Sequence, residues 1–352
     1  MTGERYDYQA LVTYAGALLA AAGLEPEKAE ITAHYLVEAD LLGHDTHGLA
    51  LCAPYLGEIE SGGIRASGQP ETVSDIGGAI AWDGRRLPGL WLTAKAIALA
   101  IERSETHGVA TVAIRRSHHI ACLAAFLTRA TDAGRFILLT CSDPNVESIA
   151  PYGGTRALYT PNPIAAGIPT TGDPVLVDVS ASITTNGMTG RLHAEGRKMP
   201  GAWAIDADGQ PSDDPAVLFT DPPGTILPVG GLEYGHKGFG LGLIVEALTQ
   251  ALSGHGRADP REGWGANVFV QVIDPNAFGG LDAFVRQTGW LADAARANPP
   301  RPDVEKVRLP GERGLARRRA MLAEGVSLYP GIMQNLEPWA DKLAIGEPTP
   351  LR

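Results

Sequence analysis

Gly235-His236-Lys237-Gly238-Phe239-Gly240-Leu241-Gly242 is the stretch on which the fold class turns. A glycine-rich turn between a strand and a helix is the fingerprint of the Rossmann dinucleotide fold. Here no strand of the right type precedes the glycines, and no acidic residue follows at the distance of a ribose contact. The orthodox Rossmann reading therefore fails. Two local readings stay open. Glycines ahead of a helix can offer backbone N–H groups to an anion, with Lys237 as a point charge beside them. Equally, they can form a tight start to a helix that carries a solvent-facing lysine.

Outward from this stretch, helical spacing runs over Phe239–Leu252 and stops near Gly254. A strand follows at Val268–Ile273, then a helix at Leu281–Ala297, an extended arm after Pro299-Pro300, and a helix over Glu312–Ala323. Upstream, residues 141–235 are rich in Pro and Gly with short strands such as Val175–Asp178, which predicts a mixed or largely antiparallel sheet. Residues 75–180 alternate helical and strand patterns, including a helix over Leu92–Arg103, a strand over Val109–Ile114, a helix over Cys122–Ala133 and a buried strand over Phe136–Thr140. The first 60 residues read as helices, with Gly23 as a stop and Pro26 in the next first turn.

The 352 residues are 44% hydrophobic and 20% charged, which suits two or three folded domains and leaves no room for a wholly disordered chain. A formal charge of −11 argues against a general nucleic-acid binder. The N-terminal residues lack the basic and apolar regions of a signal peptide, and no apolar stretch is long enough for a membrane span. The three cysteines, Cys52, Cys122 and Cys141, have no zinc spacing and read as reduced thiols of a cytoplasmic protein.

The strand at 109–114 runs into Arg115-Arg116-Ser117-His118-His119, delivering two imidazoles to a strand end. His44-Asp45-Thr46-His47 places two more three residues apart. Without a Glu of the H-E-x-x-H type, and with Gly43 and Gly48 on either side, it reads as a polar helix end with His47 toward a cleft, and no metal site is expected. No G-x-S-x-G elbow occurs, which removes that class of hydrolase. Asp178-Val179-Ser180-Ala181-Ser182 follows a strand and offers hydroxyls and backbone donors, which a plain turn would also do.

Taken in order, these pieces resemble one family across nearly the whole chain. Ala39–Gly48 resembles its "A-D-L-x-G-x-x-S-H-G", and Ser117-His118-His119 its "S-x-H". Ala150–Gly154 with Asn162-Pro163 resembles "A-P-x-G-G…T-N-P", and Asp178–Ser182 resembles "D-M-A-x-S". Leu227–Gly231 with Lys237–Leu241 resembles "L-P-x-G-G…K-G-x-G-L", and Leu309–Arg313 the late "P-G-E" segment. Each motif alone is weak, and their common order is specific. The family is the malate/L-lactate dehydrogenase family of the second, non-Rossmann type, which includes ureidoglycolate and sulfolactate dehydrogenases, 2,3-diketogulonate reductase and piperideine-2-carboxylate reductase.

The resemblance implies an α/β (mixed α+β) fold with a helical N-terminal part, a mixed-sheet nucleotide-binding domain and an interleaved C-terminal segment. It divides the chain into a helical unit of residues 1–75 completed by the tail from about 295 to 352, a substrate and dimerisation unit of 76–120 with 236–294, and a nucleotide-binding unit of 121–235. It implies NAD- or NADP-dependent hydride transfer, a small-molecule substrate and a homodimer. By position, His119 is the expected proton-transfer residue and His47 the second active-site histidine. Asp143, Asp178, Val179, Ser180, Ser182, His236, Lys237, Gly311 and Glu312 fall at cofactor contacts, and Thr46, Leu51, Tyr55, Arg116 and Asn267 at or near the substrate.

The departures matter as much. Where the family places an Arg that grips the substrate carboxylate, this chain has Leu51, and nothing aliphatic can pair a carboxylate. Arg116 or Arg65 would have to replace it, or the substrate presents no carboxylate there. A cyclic imine reductase is the alternative within the family. A catalytically idle nucleotide-binding protein is the alternative outside it. No 2′-phosphate clamp or ribose-binding acid can be placed, so NAD and NADP both stand.

Overall fold

The computed structural model describes residues 4–351. A two-residue strand, β1 (Arg5–Tyr6), leads into α1 (Tyr8–Ala21), whose first turn is capped by Asp7 accepting from the Ala10 N–H at 2.9 Å. The second helix, α2 (Pro26–Leu42), starts on a proline and stops at Gly43, where φ is +90°. It packs on α1 through apolar faces, and α3 (Cys52–Ser61) follows after one 3₁₀ turn at Leu49–Leu51.

A hairpin of β2 (Glu71–Ile76) and β3 (Ala79–Asp83) opens the main sheet, followed by α4 (Gly89–His107), β4 (Val109–Ser117), α5 (Ala124–Thr131), β5 (Phe136–Ser142), β6 (Pro163–Ile168) and β7 (Val175–Ser180). Next come α6 (Asn186–Ala194) and a small sheet of β8 (Ala204–Ile205), β9 (Pro211–Ser212) and β10 (Thr225–Ile226). The chain then builds α7 (Gly231–Glu246), β11 (Ala266–Ile273), α8 (Leu281–Arg296), α9 (Glu312–Glu324), β12 (Val326–Ser327) and α10 (Ile332–Leu343).

The main sheet has seven strands in the order β2-β3-β4-β11-β5-β6-β7. Only the β3–β4 pair is parallel, so the mixed, largely antiparallel sheet expected from the Pro/Gly-rich composition is what forms. β4 and β11 are central, and most of their Val, Ile and Ala side chains are buried, packed by α4 and by the turn at Ala247–Ala251, as their nearly continuous apolar runs demand. The tail folds back: β12 pairs with β1, α9 lies on α2, and α10 lies against α1 and α3. One hydrophobic core runs from Tyr6 to Ala340 through helices and sheet alike. Among the described residues no helix is long and apolar enough to cross a membrane.

The stretch Gly235–Gly242 is neither an anion loop ahead of a helix nor the start of one. It lies inside α7, which begins at Gly231, earlier than the expected Phe239, and ends in a π turn at Ala247–Ala251. Gly235, Gly238 and Gly242 serve close packing. A Cβ on Gly238 would come within 2.6 Å of the Ala181 carbonyl oxygen, and one on Gly242 within 2.7 Å of the Tyr159 ring. The helix at 122–133 is also shorter than expected, because residues 118–123 are drawn out across the cleft described next.

Candidate active site

The last residues of β4 are bent. Arg116 has φ +55°, a conformation that costs an L-residue free energy, and β11 carries a register shift opposite it, between Ala266 and Val268. Asn267 holds the bend: its Oδ1 accepts the Arg116 N–H at 2.9 Å and its Nδ2 donates to the His255 carbonyl at 2.6 Å. The chain then crosses the N-terminus of α4, where a Cβ on Gly89 would collide with the carbonyl groups of His118 and His119. Only a glycine lets the two histidines lie this close to the helix.

The two rings part company. His118 is 1% exposed, edge-on to Tyr55 and Trp264, with Nε2 3.4 Å from Glu58 Oε2; burial pushes its pKa down to about 3. His119 faces a cavity. Its ring lies 4.8 Å from that of Trp264, and its Nδ1 is 2.8 Å from the Tyr55 hydroxyl. Burial, reinforced by the nearby His47 and His118, holds its pKa well below the ordinary imidazole value.

His47 arrives on the loop between α2 and the 3₁₀ turn. Asp40, 1% exposed, anchors that loop by accepting the Leu49 N–H at 2.7 Å, and Gly48 has no Cβ because one would overlap the Asp40 carboxyl group. Burial pushes the Asp40 carboxyl up to about 7. The Thr46 hydroxyl lies 2.8 Å from His47 Nδ1, and the His47 ring centroid is 6.2 Å from that of His119. Burial lowers the His47 pKa to about 4. Both imidazoles are therefore neutral at physiological pH.

The cavity they face has a volume of about 550 Å³, and a smaller one of about 300 Å³ shares His44 and Asp178 as lining. Thr46, His47, Leu51 and His119 line the larger, as do Asp143, Asp178 and Ser180; Asp178, Val179 and Gly311 line the smaller. Burial raises the carboxyl pKa of Asp178, and also that of Asp143, whose oxygens accept from the N–H groups of Asn145 and Gly265. Tyr55, Asn267 and Ser182 stand behind the lining; the Ser182 hydroxyl donates to the Thr184 carbonyl. Glu312 closes the turn before α9 by accepting the Leu309 N–H, and ion-pairs with Arg296.

Other expected residues lie well away from both cavities. His236 and Lys237 are exposed on α7, beside Tyr152 and Tyr234. Arg116 points away, its guanidinium held by Asp83 at 3.4 Å and Glu262 at 3.1 Å. Arg65 is likewise outside, its Nε donating to the Ser67 carbonyl. Among the described residues no Lys or Arg lines the larger cavity. Trp264, Cys122 and the first turn of α6 (with its cap Thr185) do line it and were not anticipated; Trp264, set between Gly263 and Gly265, gave only a faint signal.

Comparison with known proteins gives one family. A family model described as malate/L-lactate dehydrogenase matches residues 6–337. An L-lactate dehydrogenase of Cupriavidus necator is 33% identical over 94% of this chain and 96% of its own length. A (2R)-3-sulfolactate dehydrogenase (NADP(+)) of Chromohalobacter salexigens is 31% identical over 93% and 96%. The solved malate dehydrogenase of Pyrococcus horikoshii superposes with a TM-score of 0.87 at 26% identity, covering 97% of this chain and 96% of that one.

Proposed function

The chain belongs to the malate/L-lactate dehydrogenase family, and we propose that it is an NAD- or NADP-dependent oxidoreductase acting on a small hydroxy or keto substrate. The observation that carries this reading is the pair of neutral imidazoles, His47 and His119, facing one another across a single cavity. The two cavities fall in the size range of cofactor and small-molecule sites, roughly 300–1,000 Å³. A dinucleotide fits their donor set: carboxylates of Asp143 and Asp178, the Ser180 hydroxyl, and the backbone at Val179 and Gly311, where a Cβ would come within 2.9 Å of the Leu176 nitrogen. When bound, the nicotinamide gives or takes the hydride.

In oxidation, His119 accepts the hydroxyl proton; in reduction it returns one to the carbonyl oxygen. Tyr55 fixes the ring for this: its hydroxyl lies 2.8 Å from Nδ1, to which the Ala121 N–H also donates at 3.4 Å, so Nδ1 is engaged by the protein and Nε2 is the nitrogen left for the substrate proton. His47, steadied by Thr46, orients the substrate oxygen. At Leu51, with no cation on the cavity wall, a buried carboxylate would lose hydration without gaining a partner. The substrate therefore presents an uncharged group to Leu51 and Trp264, and any carboxylate it carries is not gripped as an Arg would grip it. The enzyme acts as a cytoplasmic homodimer, its helical, substrate and nucleotide-binding units divided near residues 75, 120, 235 and 295.

The test is a panel of 2-hydroxy acids, 2-oxo acids, uncharged alcohols and ketones, and cyclic imines, followed by nicotinamide absorbance with both cofactors. Turnover of hydroxy or keto compounds is expected. Turnover confined to the imines would replace the substrate assignment, and no turnover or cofactor binding at all would overturn the reading.

A further inference from the structure

We propose that His44, Cys122 and Asp178 form a binding site for a thiophilic divalent cation of the zinc class, which blocks the cleft when occupied. One ligand atom of each residue lies within 4.8 Å of the other two, and Cys122 Sγ is 3.8 Å from Asp178 Oδ2. A tetrahedral zinc ion with bonds of about 2.0–2.3 Å sets its ligands roughly 3.3–3.8 Å apart, so a small closure completes the triangle. Imidazole, thiolate and carboxylate together select zinc-like ions over magnesium or calcium.

The three donors have lone pairs to spare. Among the described residues the His44 ring makes no hydrogen bond, and the Cys122 thiol donates to Asp178 itself, with the backbone N–H groups of Ala124 and Ala125 turned to its sulfur. Asp178 Oδ2 is held by the Ala124 N–H at 2.8 Å, which fixes the carboxylate while leaving its other oxygen open. Each donor stands on a separate anchored segment: the end of α2, the approach to α5, and β7. The fourth position opens into the cavities, since His44 and Asp178 line both and Cys122 lines the larger. His47 is not part of the set, being turned to Thr46 and His119. Binding costs the Cys122 proton, which leaves for solvent, so affinity rises with pH. The ion would lodge beside His44 and Asp178, the two residues that line both cavities. That it excludes the dinucleotide rests on the cofactor cleft proposed above.

Cobalt(II), titrated into the full chain at mildly alkaline pH, reports the site by absorbance. One equivalent is expected to bind with tetrahedral ligand-field bands and a thiolate-to-cobalt charge-transfer band, and zinc should bleach both. Cys122→Ser should remove the charge-transfer band, and His44→Gln should weaken binding on the order of tenfold or more. A band that survives Cys122→Ser, cobalt binding that is the same in all three proteins, or no binding to wild type would each overturn the site. His44→Gln keeps the test decisive should Cys122→Ser fail to fold. Excess NADH or NADPH should displace the cobalt; cobalt that stays bound at saturating cofactor would overturn the blocking role. Failure of the metal-free protein to bind either cofactor would instead overturn the cofactor reading and leave the cobalt spectrum standing.

Discussion

At the scale of single residues, burial decides which protonation states the site can use. In the proposed mechanism His119 is held neutral well below the ordinary imidazole value of about 6.5. The base form needed for oxidation then persists into acid. For oxidation, kcat/KM should stay flat on going down from mildly alkaline pH through about 6.5, where an unperturbed histidine would already have lost half its activity. His119→Ala should lower kcat by about a hundredfold or more, with cofactor affinity by fluorescence titration nearly unchanged; an acid limb at 6.5 or an active His119→Ala enzyme would refute the role. Leu51→Arg puts a cation on a wall that has none. It should raise kcat/KM for simple 2-oxo acids by about tenfold or more, the worth of one charge-assisted hydrogen bond. Asp40 gives the opposite kind of test. Its folded pKa, about 7, is above the ordinary 3.8, so the native state binds the extra proton and stability is lost as pH rises between those values. Asp40→Asn avoids that loss and keeps an acceptor for the Leu49 N–H. Its stability advantage over wild type in chemical denaturation should therefore widen from about pH 4 to about pH 8, by up to roughly 4 kcal/mol.

At the scale of elements, α7 separates two kinds of glycine. Gly238→Ala pushes a methyl onto the Ala181 carbonyl and the Val229 backbone, neither of which can turn aside, so the melting temperature should fall by several degrees or more. Gly240 has nothing within 4 Å of its Cβ position, and Gly240→Ala should be neutral or stabilising by up to about 1 kcal/mol. Thermal melts of both variants check the contrast, and equal effects would refute it. The same helix shows why some elements were legible in the sequence and others were not. β4, β5 and β11 are largely buried and so read as nearly continuous apolar runs. The β2–β3 hairpin was not legible, because β2 is largely solvent-exposed and carries no apolar face. β1 and β12 have two residues each and exist only through pairing with one another across the whole chain. In the site, order of motifs pointed to His47 and His119. Trp264 and Cys122 carry little local signal and His44 stands out only through its spacing to His47, since only the folded sheet brings segments 44, 122, 178 and 264 to one cleft.

At the scale of the whole molecule, the question is what covers α7. Tyr234, Leu241 and Ile244 lie on one side of the helix and are 56%, 39% and 54% exposed, with the exposed Glu233 and Lys237 among them and Leu232 and Leu243 exposed on the opposite side. Large apolar side chains exposed together on one helix mark an interaction surface, and in the homodimer proposed above a second copy would cover them. The end of the same helix reaches the cleft. Glu246 Oε1 accepts from the Ser142 hydroxyl at 2.7 Å and from Asn162 Nδ2 at 2.8 Å, and Arg257 bridges the same carboxylate to the Asp143 carbonyl. Pairing of two α7 helices would thus steady the cavity floor that Ser142 and Asp143 form. The wild-type chain should sediment at twice its own mass, and Leu241→Asp with Ile244→Asp should give a folded monomer, because a buried carboxylate without a partner is costly. That monomer should also bind the cofactor several-fold more weakly, although neither substituted residue touches the cavity. A wild-type monomer would refute the assignment of the face. A variant monomer with undiminished cofactor affinity would show that Glu246 holds the floor without help from the second copy.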